Sequence, residues 1–276
     1  MGDSWLGILL VMATFAALFG VFSLMAPMLH PEVLRKGLHV SMGLTTLSFP
    51  WLFDSGWPVI LIVLACTTAF IALHARLPFL RRLAQSLSRI KRVSVGEFCF
   101  VAATVIVFFL ADGDPVLYCI PLLLLTLADA AAALVGTAYG HHRYRTMWDY
   151  KSVEGSAAFF AVGFLCIAVP LAWFTRATLF DAIAVAVLVA LATTVLEAAI
   201  GGGLDNLLIP LGSFAAIKAT GLTQQQPEAL ESGWPIVVAA LALALALLVL
   251  LVAVLTKLRR HGDGARLRLG PRRPTE

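Results

Sequence analysis

The sequence predicts an all-α, polytopic membrane bundle of about eight or nine transmembrane helices. Three observations carry this. The 276 residues are 60% hydrophobic and only 13% charged, about half the charged share of a soluble domain. Mean hydropathy is +0.92. Apolar runs near the length needed to cross a bilayer recur along the chain. The basic balance, with a pI of about 9.0, needs no nucleic acid to explain it. The cations gather in a loop over 76–92 and a tail over 257–273, where membrane topology accounts for them.

The runs cover roughly 5–26, 38–53, 57–74, 98–111, 116–138, 156–174, 182–200, 207–220 and 234–256. The first has Asp3 where a cleavable signal would carry basic residues, so it reads as a span. The eighth is short and contains Pro210, so a re-entrant segment is the alternative there. Residues 1–256 form one membrane domain on this reading. Residues 257–276 form a basic tail, expected to be disordered and held near anionic lipid.

Orientation follows from the loops. Arg35 and Lys36, the 76–92 loop, the segment with Arg143, Arg145 and Lys151, and the tail all fall on one side of a nine-span bundle. The positive-inside rule makes that side the cytoplasm, with the N-terminus outside and the C-terminus inside. The opposite loops carry Asp3, Asp54, Asp112, Asp114, Glu228 and Glu231, with Arg176 a lone exception. Leu80, Leu83, Leu87 and Ile90 suggest an amphipathic interfacial helix in the basic loop. The four cysteines lie in or beside apolar runs without metal-binding spacing and read as small buried hydrophobes.

Ionisable groups in an apolar run are costly and so call for a reason. Arg35, Lys36 and His39 open the second run, with Arg35 and His39 on one helical face. Glu97 opens the fourth. Asp129 lies about two turns inside the end of the fifth, followed by the small-residue stripe Ala132, Gly136, Gly140. Next comes a polar loop holding His141, His142, Arg143, Arg145 and Asp149, closing on Lys151-Ser152-Val153-Glu154-Gly155-Ser156. Lys151 and Glu154, three apart, read either as a surface ion pair or as a phosphate and metal site. Glu197 ends the seventh run, before Gly201-Gly202-Gly203 and Asp205-Asn206. Asp205 and Asn206 also suit helix caps. All these groups are expected at the cytoplasmic end. A transporter would place them near the midplane. A one-sided set suits an enzyme taking a soluble phosphorylated donor and a lipid acceptor.

RKGLH at 35–39, VGEF at 95–98, LADAAAALVGTAYG at 127–140, KSVEGS at 151–156, Glu197 and GLDNLLIP at 203–210 resemble the dolichol kinase/phytol kinase family. The resemblance covers roughly residues 32–211. Tyr150 stands where the dolichol kinase form commonly has a second lysine. The signature of the distantly related phosphatidate cytidylyltransferases is absent, which favours phosphoryl over nucleotidyl transfer. The resemblance implies CTP-dependent phosphorylation of a lipid alcohol such as phytol or a dolichol-like polyprenol. It implies nucleotide binding by Asp129, Gly136, Gly140, Lys151, Glu154 and Gly155. Mg²⁺ is expected on Asp129 and Glu154, and phosphate charge on Arg35, Lys36 and Lys151, with His39 also available. Glu197 or Asp205 is expected as the base for the alcohol, with Asn206 orienting and Glu97 in support. Nucleotidyl transfer, transport and a purely structural scaffold are the competing readings.

Overall fold

The computed structural model describes residues 2–25, 29–74, 95–147 and 150–224. The interfacial helix expected over 80–90, the ninth run at 234–256, the basic tail and Asp149 lie outside the described residues.

The described chain is almost wholly helical. In order come α1 (Gly2–Met25), α2 (Pro31–Thr46), the single turn α3 (Phe49–Leu52), α4 (Gly56–His74), α5 (Val95–Ala111) and α6 (Pro115–Leu123). A π-helical turn over Leu124–Ala128 leads without interruption into α7 (Asp129–Tyr139). A small hairpin, β1 (Arg143–Arg145) and β2 (Tyr150–Ser152), precedes α8 (Val153–Phe174), α9 (Leu179–Ala199) and α10 (Asp205–Thr220). The hairpin pairs Tyr144 with Lys151 in antiparallel register.

Local chemistry sets the boundaries. Asp114 caps α6, its Oδ1 accepting from the backbone N–H groups of Val116 (2.9 Å) and Leu117 (3.0 Å), with Pro115 following at the position that needs no donor. Ser152 Oγ caps α8 by accepting from Gly155 N–H at 3.1 Å. Thr178 caps α9 through Asp181 N–H. Gly221, at φ 66°, closes α10 in the left-handed conformation.

Four described helices are long and apolar enough to span a bilayer: Ser4–Met25, Pro115–Tyr139, Val153–Phe174 and Leu179–Ala199. Gly56–Ala69 and Val95–Ala111 are shorter apolar helices. Large apolar side chains such as Phe180, Leu188 and Leu179 stand exposed on these helices. That surface is stable against lipid and not against water, so the chain is an integral membrane protein.

Two expectations change. The second apolar run does not begin at 38. Pro31 occupies the first turn of α2 and His30 Nδ1 accepts from Glu32 N–H (3.3 Å), so the helix starts seven residues earlier than expected. Arg35, Lys36 and His39 therefore project from within a helix. The same run stops at Thr46, and Phe49–Leu52 forms its own turn. Nor do Asp205 and Asn206 cap α10, whose N-cap is Leu204.

The Pro115–Tyr139 helix is the axis of the bundle. In its most apolar window 83% of the residues are buried, against 11% for the first helix. Helices α2, α5, α8 and α10 pack on it, with α8 also on α9, and α10 also on α5.

Candidate functional site

The π turn sits next to the first half of the site. Pro121, inside α6, lacks a backbone donor, and the widened turn follows three residues later. His39 Nε2 donates to the carbonyl oxygen of Leu125 in that turn (3.1 Å). Gly43 of α2 abuts the Thr126 side chain so closely that a Cβ there would overlap it. These contacts bring α2 against the start of α7. Lys36 Nζ then donates to Asp129 Oδ2, both groups being almost fully buried. His39 Nε2 lies 3.8 Å from the same oxygen. Arg35 turns instead to Glu32, its NH2 nitrogen 2.6 Å from Oε1, half exposed at the rim. It remains within electrostatic reach of Asp129 and of Glu97 in the first turn of α5.

The second half forms around the hairpin. Lys151 lies on β2, so its side chain leaves the strand rather than a helix face. Its ammonium is 2.7 Å from Glu197 Oε1 and 3.5 Å from Asp205 Oδ2, and it also donates to the Glu197 carbonyl oxygen. Ser156 Oγ donates to Glu197 Oε2 at 3.2 Å and lies 2.6 Å from the hydroxyl of Tyr144. One lysine thus faces two carboxylates, and one of these also accepts from a serine whose hydroxyl is held by a tyrosine. Asp129 and Lys36 both lie within electrostatic reach of Asp205, so the two halves share one field.

Lys151 and Glu154 do not pair with each other. Lys151 reaches across to α9 and α10, while Glu154, in the first turn of α8, takes the ring Nδ1 and backbone N–H of His142 (2.7 and 3.2 Å). The strand-to-helix change between residues 151 and 154 sends the two side chains in different directions. Asp129 and Glu154 are likewise held by different partners, Lys36 and His142. Among the described residues no group of three His, Cys, Asp or Glu side chains could hold a metal by itself. Glu197 and Asp205, sharing Lys151, are the carboxylates that come together. Such a pair fits Mg²⁺, which binds through one or two carboxylates plus substrate phosphates.

The glycines serve packing. A Cβ on Gly155 would lie 2.8 Å from the Ala132 carbonyl oxygen and 3.3 Å from Gly136 Cα. A Cβ on Gly140 would overlap the Gly136 carbonyl oxygen. The stripe on α7 therefore seats the start of α8, and with it the hairpin that carries Lys151. A second glycine contact joins α10 to α5. Gly202 and Gly203 adopt φ of 70° and 95°, and Gly203 lies against the Gly96 backbone. Asn206 Nδ2 then donates to the Gly96 carbonyl oxygen at 2.8 Å. Asn206 is thus a tie between helices.

Of the residues singled out from sequence, Lys36, His39, Asp129, Lys151, Glu197 and Asp205 converge at one end of the bundle, with Arg35, Glu97 and Asn206 at its edge. Tyr144, Ser156 and Glu32 escaped notice. Ser156 lies within the KSVEGS motif, which was the available signal. Tyr144 and Glu32 sit in segments where polar residues need no explanation.

The chain is 34% identical over 184 residues to the phytol kinase of Synechocystis sp., an alignment covering 66% of this chain and 76% of that protein. No family model matches the chain, and no solved structure does.

Proposed function

The chain belongs to the dolichol kinase/phytol kinase family, and from that premise we propose that it transfers the γ-phosphoryl group of CTP to the hydroxyl of a membrane lipid alcohol, phytol or a related isoprenoid. The observation that carries this reading is the convergence of two lysine–carboxylate groups, Lys36 with Asp129 and Lys151 with Glu197 and Asp205, at one end of a lipid-embedded bundle. Phosphoryl transfer asks mainly for positioning and neutralisation of charge, and this set supplies both signs.

On this reading Lys151 and Lys36 carry the charge of the donor phosphates, and Arg35 adds a cation at the rim. Glu197 and Asp205 would hold Mg²⁺, which neutralises phosphate charge when bound. Whichever of the two faces the alcohol accepts its proton, and Ser156 holds Glu197 in place. Asp129 keeps Lys36 aimed. The site faces the cytoplasm in the orientation the basic loops imply, so a soluble nucleotide reaches it directly while the alcohol arrives from the lipid.

The test uses the purified full-length protein in detergent with labelled CTP or ATP and a panel of lipid alcohols. The expected product is the phosphorylated alcohol, formed from CTP and lost on chelation of Mg²⁺. A lipid carrying CMP, or solute flux in liposomes without nucleotide turnover, would overturn the proposal.

A further inference from the structure

We infer that Tyr144 is a positioning residue for phosphoryl transfer, acting through Ser156 to hold the Glu197 carboxylate. This rests on the kinase reading above and adds what the hairpin does for the site.

The hairpin has two faces. Tyr144 pairs directly with Lys151 across the strands, and directly opposed residues lie on one face of an antiparallel pair. Arg143, Arg145 and Tyr150, at alternate positions, are exposed. Tyr144 and Lys151 are only part-exposed, and both lead to the same carboxylate on α9. Lys151 holds Glu197 Oε1 directly at 2.7 Å. Tyr144 reaches Oε2 through one intermediary, Ser156, by links of 2.6 and 3.2 Å. One contact would leave a carboxylate free to pivot; two, one on each oxygen, fix its plane.

The proton count sets the direction of the second arm. A carboxylate paired with an ammonium only accepts, so the single hydroxyl proton of Ser156 goes to Glu197. Ser156 Oγ is then the acceptor toward Tyr144, whose hydroxyl donates. A helical serine without such a donor readily turns to a carbonyl of the preceding turn. The Tyr144 hydroxyl therefore keeps Ser156 directed at α9. This arm matters most during turnover. Once Lys151 shares its charge with the donor phosphates, its grip on Oε1 weakens, and the Tyr144–Ser156 arm still holds Oε2.

Tyr144→Phe removes the hydroxyl and keeps the ring. Wild type, Tyr144→Phe, Ser156→Ala and the double variant are compared in steady-state kinetics. Tyr144→Phe is expected to lower kcat about fivefold, on the scale of one ordinary hydrogen bond, with KM for nucleotide and alcohol little changed. In the Ser156→Ala protein the same change is expected to cost nothing further, because the arm is already cut. A Tyr144 needed only for packing is replaced by phenylalanine without loss, so a wild-type kcat overturns the inference. A rise in KM in place of the fall in kcat overturns it too, as do losses that multiply in the double variant. Unfolding midpoints of the same four proteins, measured without substrate, separate the two levels of the argument. Midpoints coupled in the same way, in a protein that transfers no phosphate, would keep the tie while sinking the kinase reading. Turnover with multiplying losses would do the reverse.

Discussion

Lys36 and Asp129 stand 93 positions apart in sequence and form a direct ion pair in the interior, their side chains 6% and 9% exposed. The pair ties α2 to the first turn of α7, immediately after the π turn. Removing one partner leaves the other charge buried without compensation, which costs about 3–5 kcal/mol in comparable cases.

Lys36→Met is therefore expected to lower the thermal unfolding midpoint of the detergent-solubilised protein sharply and to abolish phosphoryl transfer. Asp129→Asn keeps a hydrogen-bonding partner for Lys36 and is expected to destabilise less while still losing activity. The double variant Lys36→Met with Asp129→Leu should recover much of the stability that Lys36→Met loses and none of the activity. Activity in Asp129→Asn at the wild-type level would refute the role given to this pair.

Lys151 faces Glu197 and Asp205 together. Without its ammonium the two carboxylates repel a donor phosphate and each other. Lys151→Ala is expected to reduce kcat by about 100-fold or more, the scale seen when an aligned electrostatic group is lost. Lys151→Arg should rescue little, because a planar guanidinium does not reproduce a compact ammonium set among three oxygens. Steady-state kinetics with saturating CTP decides this.

Ser156 touches Glu197 from the side opposite Lys151. Ser156→Ala leaves the carboxylate in place but free to turn. The expected result is a fall of about tenfold in kcat with KM for nucleotide and alcohol little changed, as for loss of positioning rather than binding. Ser156→Thr keeps the hydroxyl and should restore most of the rate. Equal loss in both variants would make the site's demand one of space.

Gly155 and Gly136 distinguish packing from ligand contact. A Cβ at Gly155 meets backbone at 2.8 Å, whereas one at Gly136 meets the Ser152 hydroxyl at 3.0 Å, which has to give by only a few tenths of an ångström. Gly155→Ala is expected to lower both stability and activity, and Gly136→Ala to be mild in both. Had these glycines contacted nucleotide, both variants would keep their unfolding midpoint and raise KM for CTP. Thermal unfolding measured beside KM separates the two cases.

Much of this protein is legible in its sequence, and for a physical reason. A bilayer offers no partner for a backbone polar group or a charge, so apolar runs mark spans and the exceptions mark the site. The limits of several helices followed directly, such as 116–138 for Pro115–Tyr139 and 182–200 for Leu179–Ala199. Asp129 and Glu197 were visible as carboxylates in the wrong solvent. The start of α2 was missed because Pro31 and His30 set it inside a polar stretch that hydropathy passes over.

Partnership was settled only by the tertiary structure. Spacing invited Lys151 to pair with Glu154, yet a strand ends and a helix begins between them, and their side chains part. Lys36 finds Asp129, and Lys151 finds Glu197 and Asp205, because the π turn, the Gly136–Gly155 contact and the Gly203–Gly96 contact set how closely the helices approach. Sequence determines which groups cannot remain unpaired in an apolar medium. Which group answers which depends on backbone approach between segments far apart in the chain, a property that no local pattern carries.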